Sequence, residues 1–238
     1  MVQRMMDPLA PAGPAAATDV AVQHGLAPGL YALLSDNLLP HEGFAAAAAA
    51  LARAGAPTLQ LRVKAPLADV QRLALQREVA AALAGWGGLL VINDRADLAA
   101  LLAAEAPELR VGLHLGQDDL PPHLARTIVG PRVLLGLSTH SLAQVAAAAD
   151  APVDYLGFGP IAPTSTKAQP DALVGVDGLA AAAALSAHPL VAIGGLGLVA
   201  AMACRRAGAH ATAIAGALFM GDPALLEARA RELVEALS

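Results

Sequence analysis

Eight short runs rich in Leu, Val and Ile recur along this chain, and each is followed by an Ala-rich stretch with helical character. The runs occupy residues 30–35, 58–63, 89–93, 111–115, 133–138, 155–159, 190–194 and 211–215. Near-continuous apolar strands are what a sheet covered on both faces requires. Alternation of strand and helix implies right-handed crossovers and a parallel sheet. Eight such units predict an α/β fold of the (β/α)8 TIM-barrel type, and the 238 residues suffice for one barrel of about 250 residues, a fold that also occurs shorter. A doubly wound open sheet satisfies the same periodicity.

The domain expectation is a loosely ordered or mobile tail at residues 1–28, rich in Pro, Ala and Gly, ahead of a single catalytic barrel at 29–238. The tail does not read as a signal peptide, because Asp7 and several prolines interrupt any apolar core. Cys204 is the single cysteine, so no disulfide can form within the chain, which fits a reducing cytoplasm. From residue 178 to 204 there is no Asp, Glu, Lys or Arg, a length that could span a membrane. His188-Pro189 and Gly194-Gly195-Leu196-Gly197 divide it into helix, strand, loop and helix, so no membrane association is expected. A net charge of −5 with 3% aromatic residues lacks the basic footprint of a nucleic-acid binder. Self-association is left open.

Polar residues gather where the strands end, and in a barrel the loops after the strands share one face. Gln60-Leu61-Arg62-Val63-Lys64 alternates, which puts Gln60, Arg62 and Lys64 on one side of a strand. Pointed into a barrel, they need an anionic partner, and a guanidinium beside an ammonium suits a diphosphate. An edge strand with solvated basic residues would read the same. Asp94, after Asn93, and one of Asp118 and Asp119, in Gly116-Gln117-Asp118-Asp119, supply two carboxylates at neighbouring strand ends, an arrangement suited to Mg²⁺. Each Asp also has the position of a helix cap. Thr164, Thr166 and Lys167 belong to a hydroxyl-rich loop able to wrap a phosphorylated or carboxylated ligand, though these are also ordinary loop residues. Gly194-Gly195-Leu196-Gly197 and Ala215-Gly216 follow strands seven and eight, where barrels often bind phosphate on backbone N–H groups. His114 and His140 read as packed or loop histidines rather than catalytic bases. No zinc spacing, Walker loop or dinucleotide fingerprint is present.

Six stretches in order resemble the thiamine phosphate synthase (thiamine-phosphate pyrophosphorylase) family: Gln60 to Lys64, Ile92 to Ala99, His114 to Leu120, Gly136 to His140, Gly157 to Lys167, and Ala192 to Leu196. The resemblance implies a TIM barrel and a transferase. It would join hydroxymethylpyrimidine diphosphate to thiazole phosphate and release pyrophosphate. It also implies that Gln60, Arg62, Lys64, Asn93, Ser138 and Lys167 bind the pyrimidine diphosphate, with Arg62, Lys64 and Lys167 assisting departure of pyrophosphate. Asp94 and Asp119 would hold Mg²⁺, and Thr164, Thr166, Gly195, Ala215 and Gly216 would face the thiazole phosphate. The chain departs from the family pattern at Gly216, where a Ser is usual, at Ala162, where a bulky residue is usual, and at Val111, where an Asp is usual. The alternatives are a thiazole tautomerase-like isomerase, against which Pro160 stands where that group's catalytic His is expected, and a non-catalytic binder of thiamine precursors.

Overall fold

The computed structural model describes residues 25–163 and 172–238. Eight parallel strands close into a barrel in chain order, β1 pairing with both β2 and β8. They are β1 Gly29–Ser35, β2 Thr58–Arg62, β3 Leu89–Asn93, β4 Arg110–Leu115, β5 Leu134–Thr139, β6 Tyr155–Phe158, β7 Leu190–Ile193 and β8 Ala211–Ile214. All eight expected strands are present, each within a residue or so of its expected position, and closure rules out the open sheet. The surrounding helices are α1 Phe44–Arg53, α2 Asp69–Ala82, α3 Ala96–Glu105, α4 Pro122–Val129, α5 Leu142–Ala147, α6 Gly175–Leu185, α7 Leu198–Arg206, α8 Gly216–Phe219 and α9 Leu226–Leu237.

The helices pack as their sequences dictate. In α1 the buried residues are Phe44, Ala47, Ala48 and Leu51, one face of a helix at a spacing of three and four. Ala at these positions lets the helix approach the sheet closely and costs no side-chain entropy. In α9 the buried face is Leu226, Ala230, Leu233 and Leu237. The uncharged stretch at 178–204 becomes most of α6, then β7 and most of α7. Among the described residues, no helix is long and apolar enough to cross a membrane.

Side-chain alternation along each strand builds two separate cores. Outward residues such as Leu30, Ala32, Leu34, Leu90, Ile92, Leu113 and Leu156 pack against the helices. Inward residues Tyr31, Leu33, Leu89, Val91, Leu134, Tyr155, Val191, Ala211 and Ala213 fill the barrel. Leu26 joins this inner cluster, and its carbonyl accepts a hydrogen bond from His210 Nε2 at 2.7 Å. Arg110 Nη2 donates to the carbonyl of Gly25 at 2.7 Å. Gly25 and Leu26, at the end of the expected tail, are thus bound to the barrel where the strands begin. Residues 1–24 lie outside the described residues.

Glycines on the inner face make room for large partners. A Cβ at Gly136 would sit 2.2 Å from Tyr155 Cζ and 2.6 Å from His114 Nδ1, distances that no side chain tolerates. Gly136→Ala is therefore an overpacking substitution at the barrel centre. It is expected to destabilise the protein by at least about 1–3 kcal/mol, read as a lower denaturation midpoint in urea with the slope unchanged.

Candidate active site

The inward face of β2 carries two of the expected polar set, Gln60 and Arg62, while Lys64 lies in the turn past the strand's end. Gln60 is buried, and Arg62 follows two residues further along the same face. Arg62 Nη1 donates to Ser35 Oγ at 3.1 Å, which ties the end of β2 to the end of β1. Asp36 fixes the turn that follows, since its Oδ2 accepts from the backbone N–H groups of Lys64 at 2.7 Å and Ala65 at 2.6 Å. With the backbone held, Lys64 Nζ reaches Asp94 Oδ2 at 2.5 Å.

Asp94 has a φ of 64°, the one positive value at a non-glycine position among the described residues. Asp is among the residue types that enter this left-handed region most readily. Neither Asp94 nor Asp119 serves as a helix cap. The N-caps of α3 and α4 are Arg95 and Pro121, without side-chain cap bonds. Asp119 Oδ2 instead accepts from the backbone N–H of Gly116 at 2.6 Å, folding the loop back on itself. The Asp119 carboxyl is held above its ordinary pKa, first by burial and then by its neighbour Asp94, which shares a hydrogen bond with it. Two carboxylates thus meet beside Lys64, and their mutual repulsion is relieved when a cation lies between them.

The donor set fits Mg²⁺. No cluster of three or more His, Cys, Asp or Glu is found among the described residues. Mg²⁺ typically takes one or two carboxylates and completes its shell with water and substrate phosphate oxygens. Arg95 has no part in this site, being held by Asp97 at 2.6 Å and Asp69 at 2.6 Å.

Behind the carboxylates lies a chain of inward side chains that joins β5, β4, β6, β1, β2 and β3. Ser138 Oγ is 2.9 Å from His114 Nε2, and His114 Nδ1 is 3.2 Å from Tyr155 Oη. Tyr155 Oη is 3.0 Å from Tyr31 Oη. Tyr31 Oη donates to Gln60 Oε1 at 2.7 Å, and Gln60 Nε2 donates to Asn93 Oδ1 at 2.6 Å. The His114 ring stacks on Tyr155 with centroids 5.5 Å apart. Burial lowers the His114 pKa to about 4, while the two tyrosines are held protonated, well above their ordinary range, chiefly by burial. His140 Nδ1 is bonded to the Gly159 carbonyl at 2.7 Å. Both histidines are thus engaged within the fold.

The family described as Thiamine monophosphate synthase matches residues 30–218. The chain belongs to the thiamine monophosphate synthase family. It is 38% identical over 210 residues to thiamine-phosphate synthase of Myxococcus xanthus, covering 87% of this chain and 91% of that protein. It is 43% identical over 170 residues to the thiamine-phosphate synthase of Parasynechococcus marenigrum, covering 71% of this chain but 46% of that protein, so it spans about half of that relative's length. In fold it is similar to thiamine phosphate pyrophosphorylase from Pyrococcus furiosus, with a TM-score of 0.72 at 24% identity over 88% of this chain and 95% of that one.

Within this member of the thiamine monophosphate synthase family, the glycines after β7 have a structural duty of their own. Gly194 and Gly195 have φ of 101° and 65°. A Cβ on Gly194 would lie 2.7 Å from Pro160 Cα, and one on Gly195 would lie 2.4 Å from the Pro163 carbonyl oxygen. The segment after β6 runs against them, with Ile161 N–H donating to the Ile193 carbonyl at 2.9 Å and Ala162 N–H to that of Gly194 at 3.0 Å. Gly216 differs: it opens α8 without a positive φ, and a Cβ there meets nothing within 4 Å. Thr164, Thr166 and Lys167 lie outside the described residues.

Sequence reasoning missed Ser35, Asp36, Tyr31 and Tyr155. The last two are the only tyrosines in the chain, and both lie in strand runs. That coincidence was the available signal, since a buried phenol needs a hydrogen-bond partner.

His114 is neutral in the fold down to about pH 4, whereas a free imidazole takes a proton near 6.5. The unfolded chain therefore binds more protons between these values, and His114 makes the fold less stable as pH falls through that window. Denaturation of wild type and His114→Gln at pH 7 and pH 5 is expected to show a smaller loss on acidification for the variant.

Proposed function

We propose that this chain condenses hydroxymethylpyrimidine diphosphate with thiazole phosphate, giving thiamine phosphate and pyrophosphate. The observation that carries this reading is the meeting of Lys64 with the Asp94 and Asp119 carboxylates at the strand ends, beside Arg62 and above a polar barrel interior. Cations and a carboxylate pair in one place suit a diphosphate that arrives with Mg²⁺.

In this reading Gln60, Asn93 and Ser138 hold the pyrimidine, and Arg62, Lys64 and Lys167 take the diphosphate. Asp94 and Asp119 would hold Mg²⁺, which neutralises the leaving diphosphate when bound. The bond from the pyrimidine methylene to oxygen breaks, and its electron pair leaves with pyrophosphate. The thiazole nitrogen lone pair forms the new bond to that carbon. No proton is transferred, so the site requires no general base, in keeping with the engagement of His114 and His140 in hydrogen bonds of the fold. Catalysis consists of charge neutralisation at fixed positions and alignment of the nucleophile. Thr164, Thr166, Gly195, Ala215 and Gly216 face the thiazole phosphate. The barrel at residues 29–238 acts as one catalytic domain. The expected setting is the cytoplasm.

Incubation with both substrates and Mg²⁺ tests the reading by product mass. Thiamine phosphate and pyrophosphate should form in equal amounts only when both substrates are present. Binding without pyrophosphate release would favour a non-catalytic binder instead. Activity is expected to vanish in EDTA and return with Mg²⁺. Asp94→Ala and Asp119→Ala should each lower kcat by about a hundredfold or more.

Gly216→Ser provides a separate test of the thiazole end. The open space at Gly216 admits a side chain, and a restored hydroxyl bond to the phosphate of ~1.4 kcal/mol corresponds to about a tenfold lower KM for thiazole phosphate. The KM for the pyrimidine diphosphate should stay unchanged, because Arg62 and Lys64 are untouched. A higher KM for thiazole phosphate in the variant would place the backbone, not a hydroxyl, as the phosphate's partner.

A further inference from the structure

The six side chains from Ser138 to Asn93 carry a directional constraint. Burial keeps both phenols protonated, so each has one proton to donate. Tyr31 donates its proton to Gln60 Oε1. Its oxygen can then only accept from Tyr155 across the 3.0 Å contact. With its own proton committed, Tyr155 accepts from His114, so the imidazole proton sits on Nδ1. Nε2 of the neutral ring is then a lone pair, and Ser138 donates to it. At the other end Gln60 gives its amide hydrogen to Asn93 Oδ1. Every bond points the same way, and reversing any one of them requires reversing all.

The two ends of this chain come back together. Asn93 pairs in register with His114, and Ser138 lies two residues beyond Gly136, the partner of His114 on the other side. The ends therefore stand on the two strands flanking β4, about 10 Å apart at the usual strand spacing. Asn93 is left with amide hydrogens to donate. Ser138, having given up its proton, is left with oxygen lone pairs to accept.

We infer that Tyr31, Tyr155 and His114 act as a one-way hydrogen-bond relay that locks Asn93 as donor and Ser138 as acceptor, and so selects an aminopyrimidine over its oxo counterpart. This inference rests on the pyrimidine reading of the site given above. An aminopyrimidine edge presents a ring nitrogen that accepts and an amino group that donates. The deaminated form presents a ring N–H and a carbonyl, the reverse pair. To bind it in the same pose, six side chains would have to reverse together, or two buried contacts would be left facing like groups. Tyr31, Tyr155 and His114 are positioning residues, acting through Asn93 and Ser138.

The test has two arms on the full chain. The first is a long-range ¹H–¹⁵N spectrum of the ligand-free protein, with His114 assigned by its loss in His114→Gln. The relay requires the Nδ1–H tautomer, and the Nε2–H tautomer would overturn it. The second is calorimetric binding of hydroxymethylpyrimidine diphosphate and its deaminated analogue, with Mg²⁺, to wild type, Tyr31→Phe and Tyr155→Phe. Wild type should prefer the amino form by about a hundredfold or more. Either Phe variant should narrow that preference by about tenfold, weakening the amino ligand while binding the oxo ligand as well or better. In turnover KM should rise more than kcat falls. A purely structural role would weaken both ligands equally, and an unchanged ratio in whichever variants fold would contradict the relay. Correct tautomer and ligand ratios without thiamine phosphate formation would sink the catalytic reading and leave the relay standing.

Discussion

A closed barrel of eight strands has one small interior, and every second residue of every strand must share it. That constraint governs the rest of the molecule. The outward residues have an ordinary task, packing Leu, Ile and Val against Ala-rich helices. The inward residues must fill a fixed volume and satisfy one another. At the strand starts the interior is apolar, plugged by Leu26, Leu89, Leu134 and Ala211. Midway it turns polar, and there the side chains from Ser138 through His114, Tyr155, Tyr31 and Gln60 to Asn93 satisfy one another in sequence. Gly136 is small because His114 and Tyr155 occupy the space a Cβ would need, and a Cβ on Gly157 would press on His114 at 3.1 Å. The volume left by one strand is taken by the side chain of its neighbour.

Charge is added above this floor, at the ends of the strands. Lys64 is brought to Asp94 by a turn that Asp36 pins, and Asp119 is brought to Asp94 by the Gly116 hydrogen bond. The Asp119 carboxylate is therefore placed by a backbone contact, and that of Asp94 by the Lys64 ammonium. In the proposed reading this arrangement accepts a highly charged ligand with its metal without rebuilding itself, because the cost of organising the groups is met during folding.

The strands were legible because apolar runs and period-2 alternation are local properties. Gln60 and Arg62 fell on the inner face as their spacing required. The roles of Asp94 and Asp119 were ambiguous in sequence, since an Asp before a helix reads equally as cap or ligand; the N-caps at Arg95 and Pro121 remove the cap reading. The interior relay was not legible, because it joins residues up to 124 apart and because Tyr31 and Tyr155 sit in strands that read as apolar. Gly194 and Gly195 were assigned to phosphate access, whereas their positive φ and the close passage of 160–163 also demand glycine. Family membership then connects this geometry to a reaction that needs charge neutralisation and alignment more than acid or base.

The central claim is that the carboxylate pair and the basic end of β2 hold one diphosphate with its metal. A crystal structure of the protein soaked with Mg²⁺, pyrophosphate and thiamine phosphate tests it most directly. The account predicts a metal bound by Asp94 and Asp119, pyrophosphate oxygens on that metal and on Arg62 and Lys64, and the pyrimidine against Asn93 and Ser138. Pyrophosphate bound away from Asp94 and Asp119, or a pyrimidine ring outside the barrel mouth, would contradict it.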